Sequence, residues 1–453
     1  MNLPLIARTF AGRTVDRLAI DRGVGYLLAA RICQIGFYGL AMVMIVRHLS
    51  PEEQGFYYTF FSLLSLQGFV DLGLAIVIIN TASHEWPRLR AAHDRRIEGD
   101  PEALARLASL ARVAVKWFGV GAIVFVPAVG LTGWYFFSRN ASAAVAWQGP
   151  WLALVVLTAM VIALTPFNAI LEGCNQVAQI NRTRLQQTIL EGSVLCLGLL
   201  LGAGLWVGAI ALLARLGRNL VLLFGEYGGF FGSIRRGAAG QGIDWRVELW
   251  PMQWRLGVSG LVTYFLTSLY NPVMFHYHGA GVAGRMGITL QMTLGLTIVA
   301  TSWVTPKVPR FGALIAQKNY AELDRLWLRS SGISLAMMAL GAAGLWVGLW
   351  GLGVLQPALA DRVLPPLATA IFFLAAIVAQ AVQCLVFYLR AHKREPIMLA
   401  SVSICVVTGL LVWWWGSQWG PVGAAAANLL VICLGGAWIG GIWRHCRRIW
   451  HTN

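Results

Sequence analysis

Twelve stretches of this chain are long and apolar enough to cross a bilayer, and the cations between them fall almost entirely on one side. A membrane-spanning helix needs about 17–25 mostly apolar residues. Such runs lie at 24–47, 55–82, 108–137, 150–172, 184–203 and 205–225, and again at 254–277, 280–305, 327–350, 364–389, 397–416 and 420–443. The tract between 184 and 225 counts as two spans if it divides at Gly202-Ala203-Gly204, and the direction of every later span depends on that division. Lys and Arg collect in the cytoplasmic connections of membrane proteins. With the amino end inside and the tract divided, 28 of the 35 Lys and Arg fall on the cytoplasmic side and only Arg47, Arg139 and Arg362 outside. Without the division the later clusters would face outward. The chain therefore reads as an all-α integral membrane protein with twelve transmembrane helices and both ends cytoplasmic.

Composition agrees. Only 12% of the 453 residues are charged and 58% are hydrophobic, where a soluble protein carries about 25% charged residues. The net charge of +16 follows from orientation; no basic run interleaved with aromatics points to nucleic acid. Seven cysteines form no CxxC and fall mostly in spans, where they read as small buried hydrophobes. Neither a metal nor a cofactor is expected, and His276 and His278, two apart, diverge on a helix. Residues 1–23 hold Arg8, Arg13, Arg17 and Arg22 throughout, which leaves no signal-peptide core and suits an amphipathic helix on the cytoplasmic surface. The Gly-rich, charged connection 226–253 divides a first half, 24–225, from a second, 254–443, with a tail at 444–453. The second span of each half is entered through a glycine, Gly55 and Gly284. Two six-span lobes in the same orientation would be parallel repeats with a site between them. Pro127, Pro166 and Pro272 predict kinks or breaks within spans.

Four arginines remain inside the spans: Arg31, Arg215, Arg218 and Arg285. A charge at the bilayer centre costs roughly 2.5–3.5 kcal/mol on insertion scales, so such residues are functional by default. At 1.5 Å per helical residue Arg31 lies about 10 Å from the inner face, Arg215 near the middle, Arg218 one turn nearer the cytoplasm, and Arg285 about 8 Å from the outer face. Arginine keeps its charge and binds phosphate oxygens in pairs, so the series suits an anionic cargo. Two acids, Asp71 and Glu191, lie at depths like those of Arg31 and Arg218. They read as structural ion-pair partners, with Glu191 also a candidate coupling site for a proton or cation. Gln34 and Tyr38 share a helix face with Arg31, and Asn219 adjoins Arg215 and Arg218; Tyr264, Ser268 and Asn271 form another polar line. These lines suit sugar hydroxyls or ordinary interhelical hydrogen bonds.

The segment Leu49-Ser50-Pro51-Glu52-Glu53-Gln54-Gly55-Phe56-Tyr57, followed by Phe69-Val70-Asp71-Leu72-Gly73-Leu74, resembles the first-to-second-span signature of the Wzx-type polysaccharide flippases of the MOP superfamily. The resemblance covers about 26 residues by motif, and the rest by span count and the long central connection. It implies two six-helix lobes in a V around a central cavity, in a bacterial inner membrane. It also implies an undecaprenyl-diphosphate-linked glycan as cargo, with membrane lipids and polysaccharide assembly proteins as partners. Relatives of this kind carry cavity-facing cations in the first and eighth spans, which here hold Arg31 and Arg285. Two rival readings remain. A MATE-like exporter of organic cations would want acidic cavity residues, and the spans hold more arginine than acid. A membrane glycan polymerase or glycosyltransferase would want sizeable outer loops with catalytic side chains, and 48–54, 138–149 and 351–363 offer little room. A non-enzymatic transporter is the expectation.

Overall fold

The computed structural model describes residues 22–92, 95–140, 145–236, 243–392 and 396–452. The surface helix expected over 1–23 lies almost wholly outside them, as does the middle of the connection 226–253. The chain begins with α1 (Arg22–His48). Ser50 then starts α2 (Pro51–Leu64) through a capping box: its hydroxyl accepts from the Glu53 amide and the Glu53 carboxylate accepts from the Ser50 amide. The helical path runs on through Ser65–Gln67 and Gly68–Asp71, then bends by 42° into α3 (Leu74–Glu85). Leu72 and Gly73 at the bend both have left-handed backbone, with φ of 42° and 73°. The Asp71 carboxylate accepts from the Ala75 amide at 3.1 Å, satisfying a donor that the interrupted ladder leaves open.

A small antiparallel hairpin follows, β1 (Leu89–Ala91) against β2 (Ile97–Gly99), with Leu89 opposite Gly99. Next come α4 (Pro101–Asn140), α5 (Gln148–Gly173), α6 (Val177–Leu200) and α7 (Trp206–Leu220), the last extended by a wide π turn over Val221–Glu226. The tract that the sequence divides at Gly202-Ala203-Gly204 turns there: Gly202 and Gly204 have φ of 76° and 55°, values that a side chain would oppose. A short α8 (Gly228–Arg236) lies in the central connection. The second half holds α9 (Trp250–Thr267), α10 (Tyr270–His278), α11 (Ala280–Thr301), α12 (Val308–Ala316), α13 (Tyr320–Leu355), α14 (Pro366–Ala391) and α15 (Met398–Thr452). α15 is two helices meeting at Gly420, whose φ of 59° and ψ of −144° are non-helical.

Eight helices among the described residues are each long and apolar enough to cross a membrane, and the bent α2–α3 pair makes a ninth crossing. α6 and the pair α9–α10 are not among these helices, and α15 counts once although it has two arms; with them added the number reaches the twelve expected. Of the three prolines, one accompanies a break. Pro127 and Pro166 lie inside unbroken helices, as neighbours in a bundle allow. The seventh crossing does break, but at Ser268 and Leu269, which puts Pro272 in the first turn of α10, where its missing N–H costs nothing.

Small residues set the packing. α1 lies along α6, with the Phe37 ring over Gly192, where a Cβ would stand 2.3 Å from the ring. α2 lies along α11, joining the two halves. Gly55 and Gly284, the matching entry glycines, meet each other here: a Cβ on Gly284 would stand 2.9 Å from the Gly55 nitrogen, and one on Gly55 only 1.9 Å from the Ala280 carbonyl oxygen. An aromatic cluster packs beside this seam, with Phe56 edge-on to Phe275 at 5.0 Å between centroids and Phe137 and Trp151 behind. Without a hydrophobic drive between helices in lipid, such close approach and ring packing hold the bundle together.

Candidate site of charged and polar groups in the spans

Two ends of the bundle have different chemistry. At the end rich in arginine, ion pairs knit the connections together. Glu85 at the end of α3 accepts from both Arg88 and Arg106, and Arg106 also binds Glu248 at 2.8 Å. The hydrogen bonds to Glu85 and Glu248 raise the Arg106 guanidinium above its ordinary pKa. At the opposite end the halves are closed on each other. Arg362 donates to the Leu49 carbonyl at 2.7 Å, and Gln54 donates back to the Arg362 carbonyl at 3.2 Å. Deeper along the seam, Tyr58 of α2 donates to Gln291 of α11 at 2.7 Å, and Asn271 of α10 donates to Ser62 at 2.9 Å.

Between these ends lie the four arginines. On α1, exposed Arg31 donates to Gln34 at 3.1 Å and Gln34 donates to Tyr38 at 2.9 Å, so the polar line read from helical spacing is one hydrogen-bonded row. Arg215 of α7 faces Glu191 of α6 at 3.7 Å, with their side chains 48% and 36% exposed. Tyr57 of α2 lies within electrostatic reach of both Glu191 and Tyr38. One polar group thus draws on α1, α2, α6 and α7 of the first half. Tyr57 carried no signal in the sequence beyond its place in the α2 motif.

Arg218 belongs elsewhere. Its Nε donates to Gln186 at 2.8 Å and its Nη2 to Glu226 at 2.9 Å and Thr183 at 3.4 Å, and the side chain is 16% exposed. The sequence offered Glu191 as its partner; the π turn instead brings Glu226 back onto the face of Arg218, eight residues away. That spacing of two helical turns was the signal available. Glu226 is a hub, since it also takes Gln179 at 2.6 Å and Arg95 from the hairpin at 3.6 Å. Arg95 lies over the Tyr227 ring as well. Burial raises the Tyr227 hydroxyl above its ordinary pKa, opposed by the positive charge of Arg95. Asn219, next to Arg218, is buried. Asp71 makes no ion pair with Arg31; its carboxylate caps the α3 bend instead.

Arg285 lies on α11, one residue past the seam glycine. Among the described residues its guanidinium has no hydrogen-bond or ion-pair partner, and its Nε is shut away from solvent. The polar line expected at Tyr264, Ser268 and Asn271 is divided by the α9–α10 break. Asn271 goes to the seam, while Ser268 shares a hydrogen bond with Thr267. His276 and His278 take separate partners, Asn140 and the Gly416 carbonyl. No group of three or more His, Cys, Asp or Glu among the described residues is placed to hold a metal.

No model of a protein family matches the sequence, and no curated protein is similar to it in sequence. Solved structures do match over nearly the whole chain. The lipid II flippase MurJ in an inward closed conformation has a TM-score of 0.66 at 13% identity, with 92% of this chain and 86% of that one covered. An inward-facing multidrug resistance MATE family transporter of the MOP superfamily has a TM-score of 0.58 at 14% identity, covering 93% and 99%. The MATE multidrug transporter DinF-BH has a TM-score of 0.56 at 12% identity, covering 95% and 96%. With its helices, seam and central connection in place, this chain has the two-lobe, all-α membrane fold of MOP-superfamily transporters.

Proposed function

We propose that this protein is a flippase that moves a polyprenyl-diphosphate-linked oligosaccharide across the cytoplasmic membrane by alternating access, for cell-surface polysaccharide synthesis. One observation carries the reading: the cations in the spans are not matched by acids. Arg218 is fixed by Glu226 and Arg215 is loosely paired with Glu191, which leaves Arg31 and Arg285 without a carboxylate. Unmatched charge at membrane depth is costly, and a diphosphate crossing between the halves would supply the missing negative charge. The apolar lipid tail can stay in the bilayer while the head and sugars use the polar row Arg31-Gln34-Tyr38. The fold is shared with the lipid II flippase MurJ, which supports a lipid-borne cargo.

A MATE-like exporter of organic cations has the same fold behind it. It lacks the chemistry: of the two acids within the spans, Asp71 caps a helix and Glu191 faces an arginine. Depletion of the protein followed by lipid extraction tests the choice. The expected result is build-up of one diphosphate-linked oligosaccharide lipid with unchanged dye efflux. A normal lipid pool with slower efflux of cationic dyes would overturn the flippase reading.

A further inference from the structure

The two arginines of α7 are one turn apart and differently held. Arg218 has three side-chain acceptors, whereas Arg215 has a single carboxylate at 3.7 Å and an exposure of 48%. At that separation the Arg215–Glu191 pair keeps its Coulomb attraction without the short charge-assisted hydrogen bonds that make arginine–oxyanion pairs strong. Tyr57 of α2 lies within electrostatic reach of Glu191. The fork of Arg215 is therefore occupied but unsaturated.

We propose that Glu191 is an internal stand-in for the cargo's anionic head, held against Arg215 in the empty protein and displaced when a multiply charged phosphate head arrives. This rests on the anionic-cargo reading and adds to it a residue that tunes the affinity of the site. A lone cation in the span would be costly to carry through the empty half of a transport cycle, and the carboxylate offsets that cost. The exchange costs every phosphate head the same. A diphosphate brings more charge than one carboxylate and enough oxygens to fill the fork, so it outcompetes Glu191. Glu191 thereby holds down the affinity of the site for anionic heads, which favours release of the cargo. It acts through Arg215 and is a positioning residue, not itself a contact for the head.

The test uses the purified full-length protein with undecaprenyl diphosphate and undecaprenyl monophosphate as probes, measuring equilibrium binding of each. Glu191→Gln is expected to bind both probes tighter by the same factor, about two- to fivefold, as release of a partly screened ion pair implies. Glu191→Asp, whose shorter stem draws the carboxylate back from Arg215, should tighten both in the same direction, and it serves if the Gln variant does not fold. Unchanged or weaker diphosphate binding in Glu191→Gln, or tightening confined to one probe, overturns the proposal. Arg215→Ala separates the two levels. If it binds the diphosphate like wild type, the cargo reading fails at this residue; if it loses binding while Glu191→Gln is unchanged, only the stand-in fails.

Discussion

Arg285 and Arg218 both sit in spans, yet their removal is expected to have opposite consequences. Arg218 is tied to Gln186, Thr183 and Glu226, so Arg218→Ala strands buried acceptors and costs roughly 2–3 kcal/mol of stability. A melting curve of the purified protein would show it as a lower transition temperature. Arg285 has nothing to strand. Arg285→Ala is expected to melt no lower than wild type while transport of the lipid-linked glycan falls about tenfold or more, the worth of one charge-assisted phosphate contact. Full transport in Arg285→Ala would remove this residue from the cargo path. The sequence placed both residues at membrane depth and offered Arg218 an acidic partner at similar depth, but hydropathy registers a charge and not which carboxylate meets it. What separates them is the return of Glu226 through a π turn, a local backbone detail that periodicity does not carry.

At the scale of elements, the apolar runs and the Gly202-Ala203-Gly204 turn were readable because span length and charge alternation are one-dimensional properties. The α2–α3 bend was not, although its residues stood in view: Asp71, Leu72 and Gly73 read as a family motif, and their geometry shows a capped, left-handed joint. The hairpin at Leu89–Gly99 was equally silent, since it depends on neighbours that ordered sequence does not reveal; the break in the seventh crossing was signalled by Pro272, though it falls earlier, at Ser268 and Leu269. The entry glycines lay between these cases. Their matching positions in the two halves were legible, and their contact with each other was not. That contact is tight enough to test. Gly55→Ala places a methyl group on the Ala280 carbonyl and is expected to cost about 1–3 kcal/mol, the usual penalty of overpacking. Thermal melting should fall, and disulfide cross-linking between cysteines placed at Pro51 and Ala280 should become slower than in the parent. Cross-linking at the parental rate would mean that the seam yields without cost.

For the whole molecule, the charge distribution makes a claim about direction that surface labelling can check. Cysteines replacing Ser50 or Asp361 are expected to react with a membrane-impermeant maleimide in intact cells, while one replacing Asp100 is expected to react only after the membrane is opened. The reverse pattern would invert the orientation and with it the direction of the proposed cycle. The two-lobe architecture also gives α2 a mechanical part. One end is pinned against the second half at Gly55, Tyr58 and Ser62, and the other ends at the Leu72–Gly73 joint, beyond which Glu85 is fastened to Arg106. From Gly55 to Leu72 the helical path is a rod of about 25 Å at 1.5 Å per residue. A tilt of only about 10° about Gly55 would swing the far end by about 4 Å, most of a helical pitch. Since the segment after the joint is fastened, that displacement has to be absorbed at Leu72 and Gly73. The helix is a lever with its fulcrum at one membrane face and its elbow at the other.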